Sequence, residues 1–406
     1  MKIRISKITD FAFFLLIGAE VLNSSILPMI SPLPSSGLRI LMYGSMLLIF
    51  VLYRKGFHIN MLMLLVVISA AFSLMMNDYD TKFNPVARLF SWILLIATVG
   101  PLIYNPELIR FRNRLLEGFM VIFMYVGAFS FFYWLAGGPN IGRGHFAGLM
   151  NQSMLLAPVA SMGALYAFYR FIQEKKGRKK IYFLMLFFLG SLSVLLAASR
   201  TAFIAFMLAF FVYLVFNRFK FRGFILLMVT LFTIVTAYNM TENGFSAGED
   251  SVGGELTERG LKNTRELLWT NRLIEFKSNP VFGVGFATQN EEIIVIDKQH
   301  QREDSTGRIE PGSTYLMILS MTGLLGAFSM ILLLGKALIS RDFWRRVSKT
   351  ESYKLALFVF FSVHFVAEGY IFSSGALFAC IFWLLLGATY PYSKINYQNI
   401  FYGYQR

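Results

Sequence analysis

With 406 residues, 56% of them hydrophobic and only 15% charged, the chain falls well short of the roughly one quarter of charged residues found in soluble globular domains. That excludes a water-soluble core inside a polar shell. The formal charge of +15 would otherwise point to nucleic acid, but the basic residues stand mostly in short segments between apolar stretches, where membrane topology accounts for them.

The apolar stretches recur along the whole chain and match the roughly 17–25 residues that cross a bilayer as a helix. They are continuous rather than alternating, which favours helices over a closed barrel, the two structures that satisfy the backbone in lipid. Spans are expected at 8–25, 37–53, 58–76, 86–104, 115–136, 147–169, 181–198, 201–217, 223–240, 313–338, 353–371 and 374–391. The first lacks a small-residue cleavage site and reads as a signal anchor. A cytoplasmic N-terminus then puts Lys2, Arg4 and Lys7, Arg54 and Lys55, Arg110, Arg112 and Arg114, Arg170 through Lys180, Arg218 through Arg222, Lys336 through Lys354, and finally Lys394 and Arg406 on one side, as the positive-inside rule requires. The expected fold is an all-α integral membrane protein of about 12 transmembrane helices. It divides into a first membrane part at 1–240, a large outer loop at 241–312 and a second membrane part at 313–406. Cys380, the single cysteine, lies in the last span and excludes an intramolecular disulfide.

The outer loop opens on the Gly-rich, acidic run GFSAGEDSVGGE. From about Leu256 to Ser278 the pattern becomes helical and amphipathic, with Leu268, Trp269, Leu273 and Phe276 as the apolar positions. Pro280 ends that helix, and Gly283 and Gly285 predict a tight turn.

An ionisable side chain at helix-centre depth costs about 2.5–3.5 kcal/mol on insertion scales. Glu20, Arg88, Arg143, His145, Arg200, His364 and Glu368 nevertheless fall in spans or at their ends, all toward the outer side. Their clustering argues for a polar cavity opening outward beneath the loop. Each also has a plainer reading. Arg88 and Arg143 reach headgroups by snorkelling, Arg200 marks a polar turn in AASRTA, and His364 with Glu368, four apart on one helix, satisfy each other. Arg265 and Arg272 are seven apart, about 20° on one helical face. They form either an exposed charged face or a two-pronged phosphate site. Glu310 precedes the span opening at Ser313, at the outer membrane surface, and Asp78 and Asp80 read as solvated turn residues. No P-loop, GxSxG or Cys/His metal spacing occurs.

Five segments resemble, in order, the O-antigen ligase and polysaccharide polymerase superfamily over about 143–387. They are GRGHFAGLMNQSMLLAP (142–158), LLAASRTAFIAF (195–206), RELLWTNRLIEFKSNPVFGVGFAT (265–288), EPGSTYLMILSMTGLLGAF (310–328) and HFVAEGYIFSSG (364–375). The resemblance implies a GT-C-like glycosyltransferase in the bacterial inner membrane with its large loop periplasmic. Its donor would be a glycan on undecaprenyl pyrophosphate, with Arg143, Arg200, Arg265 and Arg272 binding the pyrophosphate and no metal or cofactor. Glu310, or His364 with Glu368, would serve as base. Ligases of the superfamily commonly carry a His-Asn pair where this chain has Gly312 and Ser313, which leans the expectation toward a repeat-unit polymerase with a chain-length regulator as candidate partner. A ligase acting on lipid A core, and a flippase or transporter of lipid-linked oligosaccharide, stay open.

Overall fold

The computed structural model describes residues 5–26, 35–78, 81–138, 146–216, 265–290, 292–293, 309, 312–340, 343–344 and 351–392. Twelve α-helices lie within them: α1 Ile5–Ser24, α2 Ser35–Leu52, α3 Met61–Met75, α4 Pro85–Thr98, α5 Pro106–Leu135, α6 Ser153–Gln173, α7 Gly177–Leu196, α8 Arg200–Phe216, α9 Glu266–Ser278, α10 Thr314–Ile339, α11 Ser352–His364 and α12 Leu377–Thr389. Strands β1 (His58–Ile59) and β2 (Ile103–Tyr104) form a two-stranded antiparallel ladder. The expected span at 223–240, the Gly-rich opening of the loop, Arg143, His145, Asp80 and Glu310 lie outside the described residues. Four helices, α5, α6, α7 and α10, are long and apolar enough to cross a membrane, and six further apolar helices are shorter. This is an all-α, multi-pass membrane protein apart from the β1–β2 ladder.

Several spans are shorter than their hydropathy predicts. Residues 58–59 and 103–104, expected at helix ends, pair with each other instead. Asn60 and Asn105 explain why the helices start and stop there. The Asn60 carboxamide oxygen accepts from the Leu62 N–H at 3.2 Å, and that of Asn105 from the Leu108 N–H at 2.7 Å, so each caps the helix that follows. α11 and α12 have 13 residues each, about 20 Å of helix against about 30 Å of hydrocarbon. Irregular backbone joins them, and its polar groups find partners. The Trp383 indole N–H donates to the Ile371 carbonyl at 2.8 Å, and the Ser374 hydroxyl meets those of Tyr43 and Ser91 at 2.9 and 2.7 Å.

The chain packs as two units. The first comprises residues 1–119, 265–344 and 365–406, and therefore α1 to α4, α9, α10, α12 and the start of α5. Arg112, counted in the sequence among the basic residues of the inner side, is fully buried. Its Nε donates to the Thr98 carbonyl and its Nη2 to that of Ala97, both at 2.9 Å, and its Nη1 to the Tyr392 hydroxyl at 3.3 Å. A cation thereby closes the C-terminal carbonyls of α4, where the helix dipole is negative. Toward its centre, Trp92 packs against Phe286, Phe372 and Trp383.

The second unit comprises residues 120–264 and 345–364. Its helices approach closely through small residues, the usual way of packing where lipid removes the hydrophobic drive between spans. A Cβ on Gly163 of α6 would lie 2.5 Å from the Phe123 backbone of α5, and Gly127 faces Ala160 and Gly190. The Ser193 hydroxyl donates to the Gly127 carbonyl at 2.7 Å.

α10 is broken within its length. Gly323 has φ 62° and ψ −163°, about 13 Å along the axis from Thr314. The groups freed by the break are met by the turn that follows α9. Leu324 and Leu325 N–H donate to the Pro280 and Val281 carbonyls at 2.8 and 3.2 Å, and the Val284 N–H donates to the Ser320 carbonyl at 2.8 Å. The Ser73 hydroxyl of α3 donates to the Met321 carbonyl at 2.5 Å, and Asn77 Nδ2 to the Gly283 carbonyl at 2.9 Å. A Cβ on Gly323 would run into the Val281 carbonyl.

Two substitutions test these features in the detergent-solubilised protein by thermal unfolding. Gly323→Ala forces a backbone conformation that is essentially glycine-only and is expected to cost about 1–3 kcal/mol, more if Val281 cannot move. Arg112→Met leaves two buried carbonyls without their donor and is expected to cost about 2–4 kcal/mol.

Candidate functional site

The largest gathering of candidate residues within one packed unit lies where three segments of the first unit meet: the start of α9, the start of α10 and the turn at 365–368. α9 forms because Glu266 in its first turn and Lys277 in its last complement the helix dipole, and it stops ahead of Pro280 because proline disfavours helix at the residue before it. Arg265 stands at its N-cap. The Arg265 Nη2 donates to Glu368 Oε1 at 2.5 Å, with the two side chains 21% and 23% exposed. The Trp269 indole N–H, one turn on, donates to the Gly312 carbonyl at 3.1 Å. Thr314 N–H donates to the carbonyls of Phe365 and Glu368, and its hydroxyl donates to that of Glu368 at 2.7 Å. The Ser313 hydroxyl reaches the Phe365 carbonyl at 3.2 Å. The 365–368 turn thus seats the first turn of α10 and presents the Glu368 carboxylate to Arg265.

The apolar positions of α9 are not its most buried ones. Its buried residues are polar: Asn271, Arg272 and Glu275. Leu273 is 42% exposed. The reason is a buried ion pair. The Arg272 Nη1 donates to Glu275 Oε2 at 2.6 Å and its Nη2 to Gln289 Oε1 at 3.3 Å, while Glu275 Oε1 accepts the Asn290 N–H at 3.0 Å. Burial pulls the Arg272 guanidinium down and pushes the Glu275 carboxyl up, each opposed by the other's charge. Glu275 carried an overlooked signal, its i,i+3 spacing from Arg272.

The expectation that His364 and Glu368 share a helical face needs correction. α11 ends at His364, and Glu368 lies beyond it in irregular backbone. His364, in the second unit, is buried and stacks on Phe360 at 5.4 Å. Arg200, also in that unit, opens α8 and is exposed. Of the four candidate arginines, the first unit holds Arg265 and Arg272, and Arg143 lies outside the described residues. The tight turn expected at Gly283 and Gly285 is present, with φ of 73° and 118°.

At the position of the ligase-type histidine, Gly312 has φ 71° and a Cβ there would meet Leu268 at 2.7 Å. Ser313 beside it is buried. The backbone and the packing together leave this chain without room for a base at 312.

Residues 185–331 match the family model described as O-Antigen ligase. The matched stretch runs through α7, α8, α9 and the first two thirds of α10, and so takes in Arg200, Arg265, Arg272, Gly312 and the broken helix. A search of curated proteins returns no match. Gly312→His is expected to lower stability by about 1–3 kcal/mol through strain at positive φ, read as a fall in Tm.

Proposed function

We propose, from the match of residues 185–331 to the family model described as O-Antigen ligase, that this membrane protein is a polysaccharide polymerase. It takes a glycan from undecaprenyl pyrophosphate and transfers it to another lipid-linked repeat unit at the periplasmic face of the bacterial inner membrane. About 12 helices cross that membrane in this reading, in a GT-C-like arrangement. The observation that carries it is the family match over a chain of apolar helices, with Arg265 standing partly exposed at the cap of the loop helix.

In the proposed reaction an acceptor hydroxyl attacks the anomeric carbon of the donor sugar. The new glycosidic C–O bond forms as the bond from that carbon to the phosphate oxygen breaks, the hydroxyl proton passes to a carboxylate, and undecaprenyl pyrophosphate leaves. Single displacement inverts the anomeric configuration. Arg265 is assigned to the diphosphate, with Arg143 and Arg200 as the further guanidinium groups. Their fixed charge offsets the negative charge that develops on the leaving group, so the reading needs no metal. Glu310 is the first candidate base, and Glu368 the second. The Arg265–Glu368 pair supports the role of Arg265, because a partly exposed guanidinium can exchange one oxyanion partner for another at small cost.

The family description keeps a second reading in view, a ligase joining the glycan to lipid A core. The lack of a histidine at 312, where positive φ and Leu268 disfavour any side chain, favours the polymerase. A deletion strain separates the two: loss of a polymerase leaves single repeat units on the acceptor, whereas loss of a ligase leaves long chains on the carrier. Lipid-linked units confined to the cytoplasmic leaflet would instead reveal a flippase. Arg265→Ala is expected to slow chain elongation by about 100-fold or more, the scale of losing one preorganised donor to a developing charge. Elongation at the normal rate would sink the assignment.

A further inference from the structure

Arg265 and Arg272 share a helix face in the sequence but not an environment in the structure. Arg265 is 21% exposed beside Glu368, whereas Arg272 is 3% exposed beside a Glu275 that is fully buried. The Arg272 Nη1 and Nη2 are spent on Glu275 and Gln289, and its Nε is buried with no acceptor among the described residues. For a diphosphate to reach Arg272 it would have to displace Glu275, stranding a buried carboxylate without its cation, which is among the costlier single changes a protein can suffer.

Glu275 in turn joins two segments. It sits in α9 and accepts the Asn290 N–H at the end of the turn region. The Ser320 carbonyl takes the Val284 N–H from the same turn. The pair therefore ties α9 to the 281–290 stretch, and that stretch is tied in turn to the broken helix.

We propose that Arg272 and Glu275 are positioning residues, a buried strut that holds α9 and the 281–290 stretch in register against α10, and that diphosphate contact on this helix belongs to Arg265 alone. The proposal rests on the glycosyltransferase reading and divides labour within it. The strut sets the angle at which α9 carries Arg265.

A neutral pair tests it, because a buried ion pair exchanged as a unit for uncharged residues is often tolerated while the loss of one partner is not. Each variant would be expressed in a strain lacking the chromosomal copy, with protein abundance and Tm measured beside polymer formation and the KM for the native lipid-linked repeat unit. Arg272→Met alone is expected to cut polymer formation about tenfold or more by stranding Glu275. Arg272→Met with Glu275→Gln, where the amide oxygen still accepts from Asn290, is expected to recover to within about threefold of the parent with KM little changed. Failure of the double variant to recover at normal abundance, or a KM raised about tenfold, overturns the strut and makes Arg272 a ligand. Should the neutral pair not accumulate, Arg272→Glu with Glu275→Arg carries the same test: activity in the folded protein supports a strut, and inactivity in the folded protein refutes it. Arg265→Met is read in parallel. Full activity there removes the glycosyltransferase assignment of Arg265, while recovery of the neutral pair still decides the strut.

Discussion

A helix that breaks inside a bilayer must find partners for every backbone group it frees, because lipid supplies none. α10 breaks at Gly323, and its freed groups are met by Pro280, Val281 and Val284 from the turn after α9 and by Ser73 from α3. The turn is therefore fixed in the membrane domain by main-chain hydrogen bonds rather than resting on it. Because the turn continues directly from α9, the position of that helix follows from how the break is filled. The Arg265 side chain, the Trp269 contact with Gly312 and the seat of the first turn of α10 all lie downstream of this one constraint.

Charge in the first unit is used in two ways. Arg112 and the Arg272–Glu275 pair are buried and engaged with carbonyls, a hydroxyl or a carboxylate. Buried ionic groups of this kind hold geometry more than they add stability. Arg265 and Glu368 are partly open to solvent, where an ion pair is weak and exchangeable. Counting arginines in the sequence treats both kinds alike. Burial separates those that hold the scaffold from Arg265, which stays partly open to solvent.

The helical class, the position of the loop helix, its stop before Pro280 and the glycine turn were legible because continuous hydropathy, proline and glycine act locally. What was not legible depends on partners distant in sequence. The residues at 58–59 and 103–104 read as apolar helix ends until they find each other. Arg112 reads as an inner-side basic residue until the end of α4 and Tyr392 close over it. The buried face of α9 is not legible because Leu268, Trp269, Leu273 and Phe276 dominate any apolar count, while the ion pair that faces inward needs Gln289 and Asn290 to complete it. His364 and Glu368 are four apart, and only the end of α11 separates them. The kink in α10 gave one sequence sign, Gly323, which is indistinguishable in a hydropathy trace from the small residues that pack helices.

The plug and its socket also have an order in time. Ser73 and Asn77 are synthesised first, the turn at 279–285 next, and α10 last, so each group that satisfies the break already exists when the broken helix leaves the ribosome. A chain made in this direction never has to hold the interrupted span open in lipid while waiting for a later segment. Moving the same elements into the reverse order, as in a circularly permuted chain that begins at α10, would send an unfinished helix into the bilayer ahead of the segment that completes it.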